Sequence, residues 1–277
     1  MEIVDVHVHI GDLTNAVPDM GAASALSPEE DIRLRVQAMD QSGVSWVVIQ
    51  PSHGYLRPDG IKDTMRVNDG MAEYRRRDPV HFPIVCGTVE PLHGERSLQE
   101  LDRMKHELKL NGVSWHHRFH GCYIDSKWMR PLLRRMADLK LVPLVHTNAE
   151  SSLEAHWRLQ RLAREFPETT FLALDAFFTH ERSMQLLATA RQSPNIIWDI
   201  GGIVSWASVG AWVQQNGSES ICYSGVISYL RGRAPPRPRL LEELDRSRLS
   251  DKDKANILSL NVRRLFGLPP EGPVGPR

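Results

Sequence analysis

Short apolar runs rich in Ile and Val alternate along this chain with longer stretches in which apolar positions recur every three or four residues, the marks of buried strands and amphipathic helices. Glu2 to Ile10 reads as the first strand and ends at Gly11 and Asp12. Ser27-Pro28-Glu29-Glu30 then opens a helix: Ser27 can cap free amides, Pro28 suits the first helical position, and Glu30 can complete a capping box. That helix should run to about Ser42, where Gly43 stops it. Further strands are predicted at Ser45–Gln50, Phe82–Val89, Gly112–His116, Val142–His146, Thr170–Asp175, Ile196–Asp199 and Ser220–Val226. Helices are predicted between them at Val67–Arg77, Leu98–Leu108, Trp128–Leu139, Leu153–Phe166 and His180–Ala190, then around Ala207–Gln214 and from Leu240 and Asp251. Such alternation implies parallel neighbours joined by crossovers, and eight units favour a closed (β/α)8 barrel of the α/β class over an open doubly wound sheet. No glycine-rich phosphate loop follows a strand, which weakens the open nucleotide-binding alternative.

The length of 277 residues suits one barrel domain, expected over 1–268, with 269–277 (PPEGPVGPR) as a flexible tail. Hydrophobic residues make up 41% and charged residues 25%, enough apolar surface for a folded enzyme-sized core. Lys+Arg 34 against Asp+Glu 34 gives no net charge, which argues against nucleic acid or an anionic membrane as partner. Cys86, Cys122 and Cys222 follow no zinc or redox spacing, and a reducing cytoplasm is the expected compartment. The amino-terminal run shows no signal peptide, and no apolar stretch is long enough to span a bilayer.

His7 and His9 are the sharpest chemical signal. Residues two apart on a strand share a face, so both imidazoles can reach one ion near the strand's carboxyl end, where barrel enzymes place their sites. A lone His-x-His is weak; repetition strengthens it, because His146 ends LVPLVHTN and Asp175 ends FLALDAF. A buried polar residue after an apolar run is costly unless partnered, so these strand ends invite a shared partner. Packing or a strand-end cap is the alternative for each. In SWHHRFHGC, His116 and His117 must face opposite ways, and Arg118 can clamp a substrate carboxylate through paired hydrogen bonds or lie solvated on a surface loop. His53 in QPSHGY can contact substrate or merely order its loop. Arg231, Arg233, Arg237 and Arg239 can attract an anion or form a flexible connection.

IVDVHVHIG, VPLVHTN, SPNIIWDIGG and NVRRLFGL together resemble the amidohydrolase superfamily, specifically its amidohydrolase-related branch, over nearly the whole chain. That branch includes the aminocarboxymuconate-semialdehyde decarboxylase group. The resemblance implies a distorted (β/α)8 TIM barrel with one divalent metal ion, ligated by His7, His9 and His146, and either hydrolysis or nonoxidative decarboxylation. Two positions depart from the pattern: Asp175 stands where a strand-six histidine is usual, and Val226 where strand eight usually carries a metal-binding aspartate. Three neutral imidazoles can still hold zinc, with manganese or iron as alternatives. Asp175 becomes the expected base and a further ligand, with Asp199 in reserve as base or buried acceptor. The leading expectation is a metal-dependent hydrolase of a small amide, ester or lactone. The alternatives are a metal-dependent decarboxylase acting on a carboxylate-bearing small molecule, a metal-free acid/base enzyme, or a noncatalytic binding protein; a homo-oligomer is left open.

Overall fold

A computed structural model of the chain describes residues 1–11, 27–203, 206–225, 238–272 and 274. Eight parallel strands pair in sequence order: β1 (Val4–Ile10), β2 (Trp46–Pro51), β3 (Ile84–Gly87), β4 (Gly112–Trp115), β5 (Val142–His146), β6 (Phe171–Leu174), β7 (Ile196–Asp199) and β8 (Ile221–Cys222). The amide of Val6 donates to Tyr223 O at 3.3 Å, bringing the segment after β8 back to β1, so the sheet is a (β/α)8 barrel as the alternation requires. The crossovers are α1 (Pro28–Ser42), α2 (Ile61–Arg77), α3 (Glu95–His106), a short α4 (His117–His120) followed by α5 (Met129–Leu139), α6 (His156–Glu165), α7 (His180–Thr189) and α8 (Trp206–Asn216).

The caps of α1 follow its sequence. Ser27 accepts from the amide of Glu30, and Gly43 ends the helix at φ 74°, a conformation that glycine adopts without strain. The Glu30 carboxylate turns away from the expected capping box to bind Arg33.

Strand alternation sorts the apolar residues into two layers. Val4, Val6, Val48, Leu144, Leu172 and Ile197 fill the barrel interior, while Val8, Ile10, Ile49, Val145, Ala173 and Trp198 face the helices. With only two residues in β8, the barrel's closing edge relies on side chains from the segment after α9 (Arg239–Arg246) and α10 (Asp251–Ala255). A π-helical turn, Asn256–Leu260, leads into α11 (Asn261–Leu265). Asn261 Nδ2 donates to the carbonyls of Ser218 and Ile221, both at 2.7 Å, and the Tyr223 amide donates to Ile257 O at 2.9 Å. Arg263, 3% exposed, pairs with Glu2 through two bonds of 2.6 Å. NVRRLFGL is thus a clasp between the last strand and the first. Arg263 also donates to Pro269 O and Gly272 O, and Val274 packs against the base of the barrel.

No helix among the described residues is long and apolar enough to cross a membrane. All three cysteines are free and buried.

Candidate metal centre

Above its apolar layers the barrel interior turns polar. The alternation that points Val48, Leu144 and Ile197 inward continues, two residues on, to Gln50, His146 and Asp199, all buried. On β1 the same rule would carry Val4 and Val6 on to Val8, yet Val8 faces the helices. The register between β1 and β2 shows why: Asp5 pairs with Val47 and Val8 with Ile49, three steps on one strand against two on the other. This bulge inverts the alternation and turns His7 and His9 inward. Asp5 holds it, its carboxylate accepting from the His7 amide at 3.0 Å. Burial pushes the Asp5 carboxyl up to about 6, against the backbone amides of His7 and Gly225.

The outcome is a triangle of imidazole nitrogens. His7 Nε2 lies 3.1 Å from both His9 Nε2 and His146 Nε2, and the third edge is 3.2 Å. A single ion at about 2.0–2.1 Å from each nitrogen can reach all three. The partners of the opposite nitrogens decide what faces the centre. His7 Nδ1 meets Asp199 Oδ2 at 2.9 Å, His9 Nδ1 meets Pro51 O at 3.0 Å, and His146 Nδ1 meets Trp115 O at 2.8 Å. Carboxylate and carbonyl oxygens only accept, so each Nδ1 carries the proton and each neutral ring aims its Nε2 lone pair at one point. Burial holds His9 and His146 well below the usual histidine range and hence neutral. Burial acts the same way on His7, but Asp175, Asp199 and Asp5 outweigh it and raise its pKa, so that corner favours positive charge, as a proton or as a metal ion. Among the described residues these three form the one group of histidine, cysteine or acidic side chains with metal-binding spacing.

The two aspartates separate. Asp199 is fully buried behind His7, and its Oδ2 also accepts from Ser224 Oγ at 3.2 Å, the place of a carboxylate that orients a ligand. Asp175 follows β6 directly in a left-handed turn, φ 58°, which aspartate tolerates. Its side chain is 18% exposed, its Oδ1 lies 3.8 Å from His7 Nδ1, and it stands outside the histidine triangle. Val226 and the arginines 231, 233 and 237 lie outside the described residues; Arg239 opens α9 and pairs with Glu243.

A second tier of histidines surrounds the triangle. His116 stacks on His146 with ring centres 4.4 Å apart and planes 3° from parallel. Its Nδ1 bonds to Glu154 Oε1, and Arg118 Nη2 donates to its Nε2 at 2.9 Å. His117 opens α4 instead of extending β4 and lies against Trp115 and Cys122. His53 lies 5.3 Å from His146, ring to ring; its Nε2 meets Ser114 Oγ at 3.1 Å, and its Nδ1 lies 3.4 Å from His120 Nε2. His120 Nδ1 meets Glu90 Oε2 at 2.8 Å. Burial alone would raise the Glu90 carboxyl, but His120, Tyr55 and Arg57 pull it down to about 2.

Sequence reasoning missed Asp5, Glu90 and Glu154. Each comes from a loop or the strand's opposite face, where a charged residue looks like any solvated one. A faint signal existed for Glu154, which shares the post-β5 loop of LVHTNAESSLEAH with the ligand candidate His146.

No protein-family model matches the sequence, and no curated protein matches it. Solved structures do. The 5-carboxyvanillate decarboxylase of Novosphingobium aromaticivorans, with manganese and 4-hydroxy-3-methoxy-5-nitrobenzoic acid bound, aligns at TM-score 0.69 and 15% identity over 96% of each chain. The 2,6-dihydroxybenzoate decarboxylase from Rhizobium aligns at 0.68 and 15%, over 96% of this chain and 99% of its own. A structure described as amidohydrolase II aligns at 0.73 and 14%, over 96% of this chain and all of its own, 100%. The chain therefore shares the (β/α)8 barrel fold of these solved structures, the fold that its sequence resemblance implies.

Proposed function

We propose that the protein is a divergent amidohydrolase-superfamily enzyme that binds one divalent metal ion on His7, His9 and His146 and decarboxylates a small carboxylate-bearing molecule. The observation that carries the metal is the convergence of three Nε2 lone pairs, each fixed by an acceptor at Nδ1. Decarboxylation stands ahead of the hydrolysis favoured by the motifs because structures of this fold that bind manganese with aromatic acids or a nitroresorcinol are decarboxylases. Hydrolysis is the second reading, resting on the likeness to the amidohydrolase II structure. The ion, manganese, zinc or iron, supplies an electrophile for substrate oxygens.

In decarboxylation the carbon–carboxylate bond breaks, its electron pair stays on carbon, carbon dioxide leaves and a proton replaces it. We assign that proton to Asp175, the partly exposed carboxyl at the mouth, and the orientation of His7 to Asp199. Arg118, His116 and His53 line the substrate side. Three buried free thiols support a reducing, cytoplasmic setting.

The test incubates manganese-loaded protein with a panel of hydroxylated benzoates and a parallel panel of amides, esters and lactones. Carbon dioxide release from at least one benzoate, abolished by chelator, is expected. Cleavage of an amide, ester or lactone with no carbon dioxide release would transfer the assignment to hydrolysis.

A further inference from the structure

Arg182 lies in the first turn of α7, just past Asp175 at the mouth of the barrel, and is 6% exposed. Two features make it unusual. A cation in the first turn sits at the positive end of the helix dipole, where a negative group is favoured. It also lacks a carboxylate partner among the described residues, and its Nε is buried without a hydrogen bond. Its one bond runs from Nη1 to Asp175 O at 3.1 Å, which secures the left-handed turn after β6.

The guanidinium is nevertheless firmly placed. It lies over the Phe178 ring, 5.5 Å from its centre. Phe178 in turn packs on Gly202, where a Cβ would come within 2.3 Å of the ring and displace it. Burial lowers the Arg182 pKa while Asp175, Glu150 and Glu154 resist it, and Arg118 adds a like charge nearby. With Nη1 occupied, the free edge is the Nε and Nη2 pair, a planar two-donor fork that matches the two oxygens of a carboxylate.

We propose that Arg182 is the receptor for a carboxylate of the substrate, gripping it through Nε and Nη2 beside the histidine triangle, with Arg118 nearby adding positive charge. This rests on the reading of the site given above and names the group that the site selects. Asp175 is then both neighbour and gauge: the same arginine that holds the substrate's anion holds the backbone of the proposed proton donor.

Binding of 4-hydroxy-3-methoxy-5-nitrobenzoate and of the same ring without its carboxylate, 2-methoxy-6-nitrophenol, is measured by calorimetry, with and without manganese. Wild type should prefer the acid, and R182M should weaken the acid about tenfold to hundredfold while changing the phenol less than twofold. R182K, which keeps the charge but loses the fork, should fall between the two. Should R182M fold poorly, R182Q carries the same comparison. Equal loss of acid and phenol would make Arg182 a structural prop, and an unchanged preference in R182M, or no preference for the acid in wild type, would likewise overturn the receptor. If the Arg182 effect persists but manganese neither binds nor alters affinity, the receptor stands and the metal-dependent function falls.

Discussion

The lower and upper halves of the barrel interior are built from the same eight strands a few residues apart, yet they answer to different chemistry. Below, Val4, Val6, Leu144, Leu172 and Ile197 pack against one another with no polar atom among their side chains. Above, His7, His146 and Asp199 are just as buried and His9 is partly so, but each histidine is fixed by a directed bond at Nδ1. The lower half stabilises the fold by removing apolar surface from water. The upper half gathers imidazole nitrogens and a buried carboxylate in one small volume, an arrangement that the proposed metal ion would complete.

Several substitutions would break or sharpen this contrast. The largest loss of stability should come from below: Leu172→Ala is expected to cost about 2–5 kcal/mol in chemical denaturation while leaving metal affinity unchanged. His146→Asn should reverse that pattern, lowering metal affinity by about a hundredfold or more in chelator competition with little loss of metal-free stability. If Leu172→Ala weakened metal binding as much as His146→Asn, the two halves would not be separable.

A third region, the helix shell, sets the acid limit. His156 on α6 is buried edge-on to Trp198, and burial followed by the charge of Arg182 lowers its pKa to about 4. Between about pH 6.5 and 4 the unfolded chain binds this proton and the folded one does not, so stability is full above that window and falls as pH drops through it. The expected loss from His156 alone is about 2 kcal/mol at pH 5. Denaturation of the metal-free protein across this range should show the decline, and His156→Gln should flatten it. His53 and His117, also lowered by burial, act with the same sign.

Much of the lower barrel was legible from alternation alone, because a strand's period is robust to tertiary context. The three histidines were legible for the same reason, as polar residues ending apolar runs. What alternation hides is any break in itself. The bulge at Asp5–Val8 turns His7 and His9 inward, and no local signal in VDVHVHI marks it. Nor does sequence separate Asp199 from Asp175: both end apolar runs, and only their depth puts one behind His7 and the other at the mouth. Glu90 and Glu154 reach the site from loops, beyond the range of any periodic argument.

That separation yields the finest prediction. Asp199→Asn keeps the shape of the side chain but removes the anion behind His7, so metal affinity should fall by about tenfold to hundredfold. Asp175→Asn should leave affinity near the wild-type value and act on turnover. An exchange of these two outcomes would exchange the roles.

The most direct measurement is a calorimetric titration of metal-free protein with manganese and with zinc, repeated on His146→Asn. Convergent lone pairs on His7, His9 and His146 predict saturation at one ion per chain in the wild type and its loss in the variant. Absence of saturable binding in wild type, or binding that His146→Asn leaves intact, would contradict the metal centre.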